Sequence, residues 1–113
     1  MHHMKLHPAP FEMIASGQKT IELRLYDEKR RAIKVGDRIV FTNTASGGTL
    51  TATVLQLHLF DSFAQLYQSL PLLKCGYTPA DVATASPADM DAYYSAEEQK
   101  QYGVVGIELL VEV

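Results

Sequence analysis

A chain of 113 residues, 47% of them hydrophobic, can form one domain, spanning 1–113, around one core. Its single cysteine, Cys75, excludes an internal disulfide and a cysteine-built metal cluster, and suits a reducing, cytoplasmic setting. The net charge of −3 argues against a general polyanion binder. No apolar run approaches the roughly 20 residues that span a bilayer, and the opening MHHMKLHPAP has no apolar signal core, so no membrane association is expected.

The first expected element is a short helix in PFEMIASGQK (10–19). Phe11, Ile14 and Ala15 form its stripe, and Gly17 is suited to a left-handed C-cap. TIELRLY (20–26) follows with period two. Ile21, Leu23 and Leu25 share one face; Glu22, Arg24 and Tyr26 share the other. DEKRRAIK (27–34) reads as a charged connection, VGDRIVFTN (35–43) as a turn and a strand, and TASGGT as a hairpin loop. TLTATVLQLHLF (49–60) carries the strongest strand signal, rich in threonine and branched residues. DSFAQLYQSL (61–70) is an amphipathic helix with Phe63, Leu66, Tyr67 and Leu70 inward, ended by Pro71. Thr78-Pro79-Ala80-Asp81 and Ser86-Pro87-Ala88-Asp89 each place a cap before proline, predicting two helix starts. Ser95–Glu98 is a capping box for a last helix, closed by Gly103. The terminal strand, VVGIELLVEV, lines one face with Val105, Ile107, Leu109, Val111 and Val113. Short strands with inserted helices suit an α+β fold, a small mixed β-barrel with peripheral helices. No glycine-rich phosphate loop accompanies a strand–helix–strand unit.

Charge is unevenly placed. Residues 19–38 hold seven bases against four acids, and residues 81–98 hold five acids and no base. Glu22 and Arg24 fall about 7 Å apart on one strand face, with Lys19 in the turn before them. Spacing alone favours a solvated strand edge, because charged side chains are mostly exposed. The functional alternative is a pocket floor. There Arg24 offers a fork of donors, Lys19 a charge or nucleophile, and Glu22 a proton acceptor. Lys29, Arg30 and Arg38 could track a phosphate backbone beside it, with Tyr26 stacking on a base. Met90, Tyr93, Tyr94 and Glu97 fall at helical spacing, and one tyrosine hydroxyl could reach a site. His58 has no partner at metal-ligand spacing, so no metal or other cofactor is expected.

At GQKTIELR (17–24), followed by KVGDRIVF (34–41), the sequence resembles the ASCH domain family, a branch of the PUA-like β-barrels. The matching features are the glycine-x-lysine turn at Gly17–Lys19, the strand with Glu22 and Arg24, and Gly36-Asp37 before a second strand. YGVVGIEL (102–109) is similar to the family's final strand. The resemblance implies a PUA-like barrel with a cleft lined by Lys19, Glu22 and Arg24, and a partner that is RNA or a modified nucleoside. Some small bacterial members are amidohydrolases that remove the acetyl group from N4-acetylcytidine, using a lysine, a threonine three residues later and a further carboxylate. Lys19 matches the lysine, Glu22 stands where the threonine would be, and Glu97 takes the later carboxylate's place. Two functions follow as expectations. One is a binding module that grips RNA or a nucleoside through Arg24 and Lys19. The other is an amidohydrolase with Lys19 and Glu22 as its catalytic groups.

Overall fold

The computed structural model describes residues 1–112; Val113, expected on the inner face of the last strand, lies outside them. Among these residues, five strands, β1 (His2–Leu6), β2 (Ile21–Leu25), β3 (Arg38–Asn43), β4 (Thr49–Phe60) and β5 (Val104–Val111), form one sheet in the order β1-β3-β4-β5-β2. β1 runs parallel to β3, and every other pairing is antiparallel. Among the described residues, four helices, α1 (Pro8–Ser16), α2 (Glu28–Arg31), α3 (Phe63–Ser69) and α4 (Ala96–Tyr102), and three 3₁₀ turns complete the α+β fold.

The twelve-residue β4 organises the sheet. Its first half pairs with β3, most of its length pairs with β5, and a register shift lies between Val54 and Gln56. Such a shift bends a strand and increases its twist, so the sheet curls into a half-barrel. β1 and β2 are left as the two facing edges, and no ladder joins them.

Two cores result. Inside the curl, Met4, Leu6, Ile39, Phe41, Val54 and Ile107 pack with Phe11 and Ile14 of α1. Behind it, Ile21, Leu23 and Leu25 pack with Phe63 and Leu66 of α3, with Cys75 and with Val104. β5 serves both cores, which explains the unbroken buried run Val104–Ile107. β2 is likewise buried on both faces, and its polar face therefore cannot be an edge open to water.

Several elements differ from their sequence expectations. The chain opens with a strand. Met4 and Leu6 alternate inward, and His2 Nε2 lies 2.8 Å from Asp37 Oδ2 at the end of the β1–β3 pair. This pairing is long-range, so five residues before a proline carry no local sign of it. The charged connection contains α2, whose N-terminus is capped by Asp27 accepting from Arg30 N. The Thr78–Asp81 cap leads only to a turn, then a 3₁₀ turn at Val82–Thr84. Ser86 and Asp89 form a full capping box, but on a 3₁₀ segment, Pro87–Ala92. Tyr93 and Tyr94 share no helix with Glu97. Ser95 is extended and caps α4 through Glu98 N, which breaks the helical run.

Leu66 is fully buried and joins α3 to β2. Leu66→Ala is expected to cost about 2–5 kcal/mol, read as a lowered urea midpoint with an unchanged slope.

Candidate functional site

Lys19, Glu22 and Arg24 converge. α1 ends at Gly17, whose φ of 85° gives the left-handed turn and whose N–H donates to Ile14 O. Lys19 N then donates to Met13 O and Thr20 N to Lys74 O, so the residue before β2 is held from two sides. Lys19 Nζ lies 2.7 Å from Glu22 Oε1. Arg24 sends Nε (2.9 Å) and Nη2 (2.8 Å) to Glu22 Oε2. Arg24 Nη2 also donates to Lys5 O at 2.9 Å, bridging the seam between β1 and β2. Lys19 is 8% exposed and Glu22 4%.

Burial on its own pushes the Glu22 carboxyl up. The charges and hydrogen bonds of Lys19 and Arg24 outweigh it, and the group is held below its usual range. Both Glu22 oxygens are therefore committed. Lys19 carries three N–H donors and Arg24 five, more than Glu22 and Lys5 O engage. Lys19 and Arg24 line a cleft of about 500 Å³.

The cleft opens at the β1–β2 seam. One side is the start of α1 with Lys5 and His7; the other is built from Tyr67, the Cys75–Tyr77 turn and the 3₁₀ segment with Asp89 and Met90. Gly76 brings its backbone close to the lysine. A Cβ there would stand 3.3 Å from Lys19 Cδ, and its φ of 113° also favours glycine. Cys75 lines the cleft, and burial pushes its thiol up to about 11.

Tyr93 and Tyr94 line the cleft as well. Tyr94 stacks on Phe63 with ring centroids 6.1 Å apart, and burial pushes its hydroxyl up; Tyr93 is 65% exposed. The other sequence-selected residues stand elsewhere. Tyr26 lies under Arg31, 4.4 Å from the guanidinium carbon, and lines a separate groove with Leu59 and Tyr102. Arg30 pairs with its own cap, Asp27, at 3.3 Å, and Lys29 is exposed beside it on α2. Arg38 makes a two-pronged pair with Glu112, at 2.7 and 2.6 Å. Glu97 is exposed on α4 and is not part of the cleft lining. The basic segment is thus not one basic face.

The carboxylates that join Glu22 at the cleft are Asp81 and Asp89. The sequence places both in the two helix starts capped by Thr78 and Ser86 and marks neither as a site residue. Asp89 does cap, but it also accepts from Tyr77 Oη at 2.7 Å. Tyr67 and Tyr77 were missed because a tyrosine on a helix stripe and one after a glycine give no local sign of sharing a wall. His58 pairs with Glu108 at 2.9 Å, away from the cleft. Among the described residues, no group of three or more acid, histidine or cysteine side chains could hold a metal ion. No helix among the described residues is long and apolar enough to cross a membrane.

Comparison with known proteins agrees with this architecture. A crystal structure of a hypothetical protein, PH0355, is 33% identical over 97% of each chain, with a TM-score of 0.80. The solution structure of PF0455 from Pyrococcus furiosus is 34% identical over 97% of this chain and 96% of that one, with a TM-score of 0.73. A mutant ASCH protein from Zymomonas mobilis shares the fold at 15% identity and a TM-score of 0.66, over 95% of this chain and 66% of its own. No match was found among curated proteins. The family model for the ASCH domain matches residues 4–112, and the chain therefore belongs to the ASCH domain family.

Proposed function

We propose that this ASCH domain binds a nucleoside-type ligand, a free nucleoside or one unpaired base of an RNA, in the cleft floored by Lys19, Glu22 and Arg24. The observation that carries this reading is the buried Lys19–Glu22–Arg24 cluster at the floor of a half-open, tyrosine-lined cleft. About 500 Å³ lies within the usual range for a small-molecule site. Tyr93 and Tyr94 supply π-faces on which a base can stack, and Lys19 and Arg24 supply donors for its carbonyl or ring-nitrogen acceptors.

The charge around the cleft favours the base over the backbone as the recognised part. Lys5, Lys19 and Arg24 are matched there by Glu22, Asp81 and Asp89. Lys29, Arg30 and Arg38, the expected phosphate contacts, stand outside it, and two of them are already paired. Removal of an acyl group from a nucleoside such as N4-acetylcytidine, with Lys19 and Glu22 catalytic, has less support. A general base must take up a proton. Both Glu22 oxygens are engaged, and its proton affinity is reduced rather than raised.

Two measurements test this. Titration calorimetry with the common nucleosides, their modified forms and short single-stranded RNAs is expected to find a binder. Arg24→Lys should weaken it about tenfold or more, since a lysine keeps the charge and loses the fork. Raising salt from ~50 to ~200 mM should weaken it by less than about tenfold, against the roughly 10³-fold or greater loss for a protein that grips six or more phosphates. No binding to any of these at low salt would sink the proposal.

The second measurement reads the charge cluster. The folded Glu22 titrates below its ordinary value of 4.5. Its contribution to stability is therefore full above that value and is lost as pH falls through the folded one. Glu22→Gln strands two buried cations and is expected to cost about 3–5 kcal/mol at pH 7. In urea denaturation the gap between wild type and Glu22→Gln should narrow as the pH falls below 4.5. A gap independent of pH would show that the cluster does not hold Glu22 ionised.

A further inference from the structure

We infer that Tyr67 is a specificity-determining residue of the cleft. It presents its hydroxyl oxygen as a fixed hydrogen-bond acceptor. The ligand class is then a planar molecule with an acceptor for Lys19 and Arg24 and an amino group for Tyr67. This assignment rests on the nucleoside-type reading of the cleft.

The polarity follows from proton counting along a three-residue chain. Tyr67 Oη lies 2.7 Å from Tyr77 Oη, and Tyr77 Oη lies 2.7 Å from Asp89 Oδ2. An ionised carboxylate only accepts, and a phenol has one proton. The bond from Tyr77 holds the Asp89 carboxyl below its usual range, so Asp89 is the terminal acceptor. Tyr77 spends its proton on Asp89. Tyr67 must then spend its own on Tyr77, which leaves only lone pairs on Tyr67 Oη for anything else. Burial pushes both phenols up, so each keeps its proton near neutral pH.

The chain is anchored at each end. Asp89 Oδ2 also accepts from Ser86 N at 3.2 Å within the capping box. Tyr67 is set by α3, and its ring meets that of Tyr77 edge-on, with centroids 5.9 Å apart. All three residues line the same cleft as Lys19 and Arg24. Asp81 adds a carboxylate to it, with one oxygen held by Thr78. The cleft thus sets a donor group on β2 against an acceptor group on the segments that cover it. A ligand with acceptors alone leaves Tyr67 unmatched.

The test uses matched nucleosides that differ by one amino group replaced by hydrogen. The pairs are cytidine with pyrimidin-2-one ribonucleoside, adenosine with purine ribonucleoside, and guanosine with inosine. In calorimetric titrations, deleting the amino group from the member that binds should weaken wild-type binding about tenfold or more. In Tyr67→Phe the same deletion should matter less than about threefold, because the acceptor is gone. Tyr77→Phe keeps the Tyr67 hydroxyl but releases its proton, and should also shrink the preference. A packing role for Tyr67 would weaken both members of a pair alike, leaving the ratio at its wild-type value in Tyr67→Phe. That result, or an amino-deleted member that binds wild type equally well or better, would overturn the assignment while the nucleoside reading stands. Failure of every nucleoside and RNA to bind removes both.

Discussion

The buried carboxylate of Glu22 is the constraint on which the rest depends. A carboxylate that is 4% exposed is tolerated only with its charge matched and its lone pairs used. Two cations meet that requirement, and each is delivered by a different piece of backbone. Lys19 comes from the turn that Gly17 allows after α1; Arg24 comes two residues along the same strand. The pairing then fixes both cations at the lining of the cleft. A solvated pair would leave these side chains mobile and contribute little.

The curl of the sheet makes room for this arrangement. The bend in β4 brings β1 and β2 face to face without a ladder between them. A closed barrel would bury the seam under backbone hydrogen bonds. Here the crossing bond is the Arg24 guanidinium on Lys5 O, so the closure of the barrel and the floor of the cleft are the same interaction. This arrangement also explains why β2 is buried on both faces. One face packs on α3, and the other looks into the seam.

Much of the chain was legible from local pattern. Period two in TIELRLY, the long threonine-rich strand, the α3 stripe and the Ser95 capping box depend on near neighbours, and each has its counterpart in the structure. Gly17, Lys19, Glu22 and Arg24 lie within eight residues, so their convergence is nearly a local property as well. What was not legible is long-range. β1 exists through β3, thirty-odd residues away, and Tyr67, Tyr77 and Asp89 are linked only by the packing of three separate segments. The basic stretch misled for the same reason. Composition counts the bases from 19 to 38, but Arg38 is answered by Glu112 and Arg31 by Tyr26 and the Tyr102 carbonyl.

The same distinction bears on how the site could recognise a ligand. If a positive surface were the source of affinity, the bases would gather at the cleft and remain free. Instead Arg30, Arg31 and Arg38 are placed by partners of their own, and the cleft balances three cations with three carboxylates. Such a site gains little from attraction at a distance and depends on the match of individual donors and acceptors at contact. That demands rigid partners, because a hydroxyl free to rotate answers either a donor or an acceptor. The buried Lys19–Glu22–Arg24 cluster provides rigidity on β2, and the Tyr67–Tyr77–Asp89 chain provides it on the segments that cover the cleft. In both, a carboxylate that only accepts holds its donors in place: Glu22 takes two cations directly, and Asp89 orients the two phenols in series.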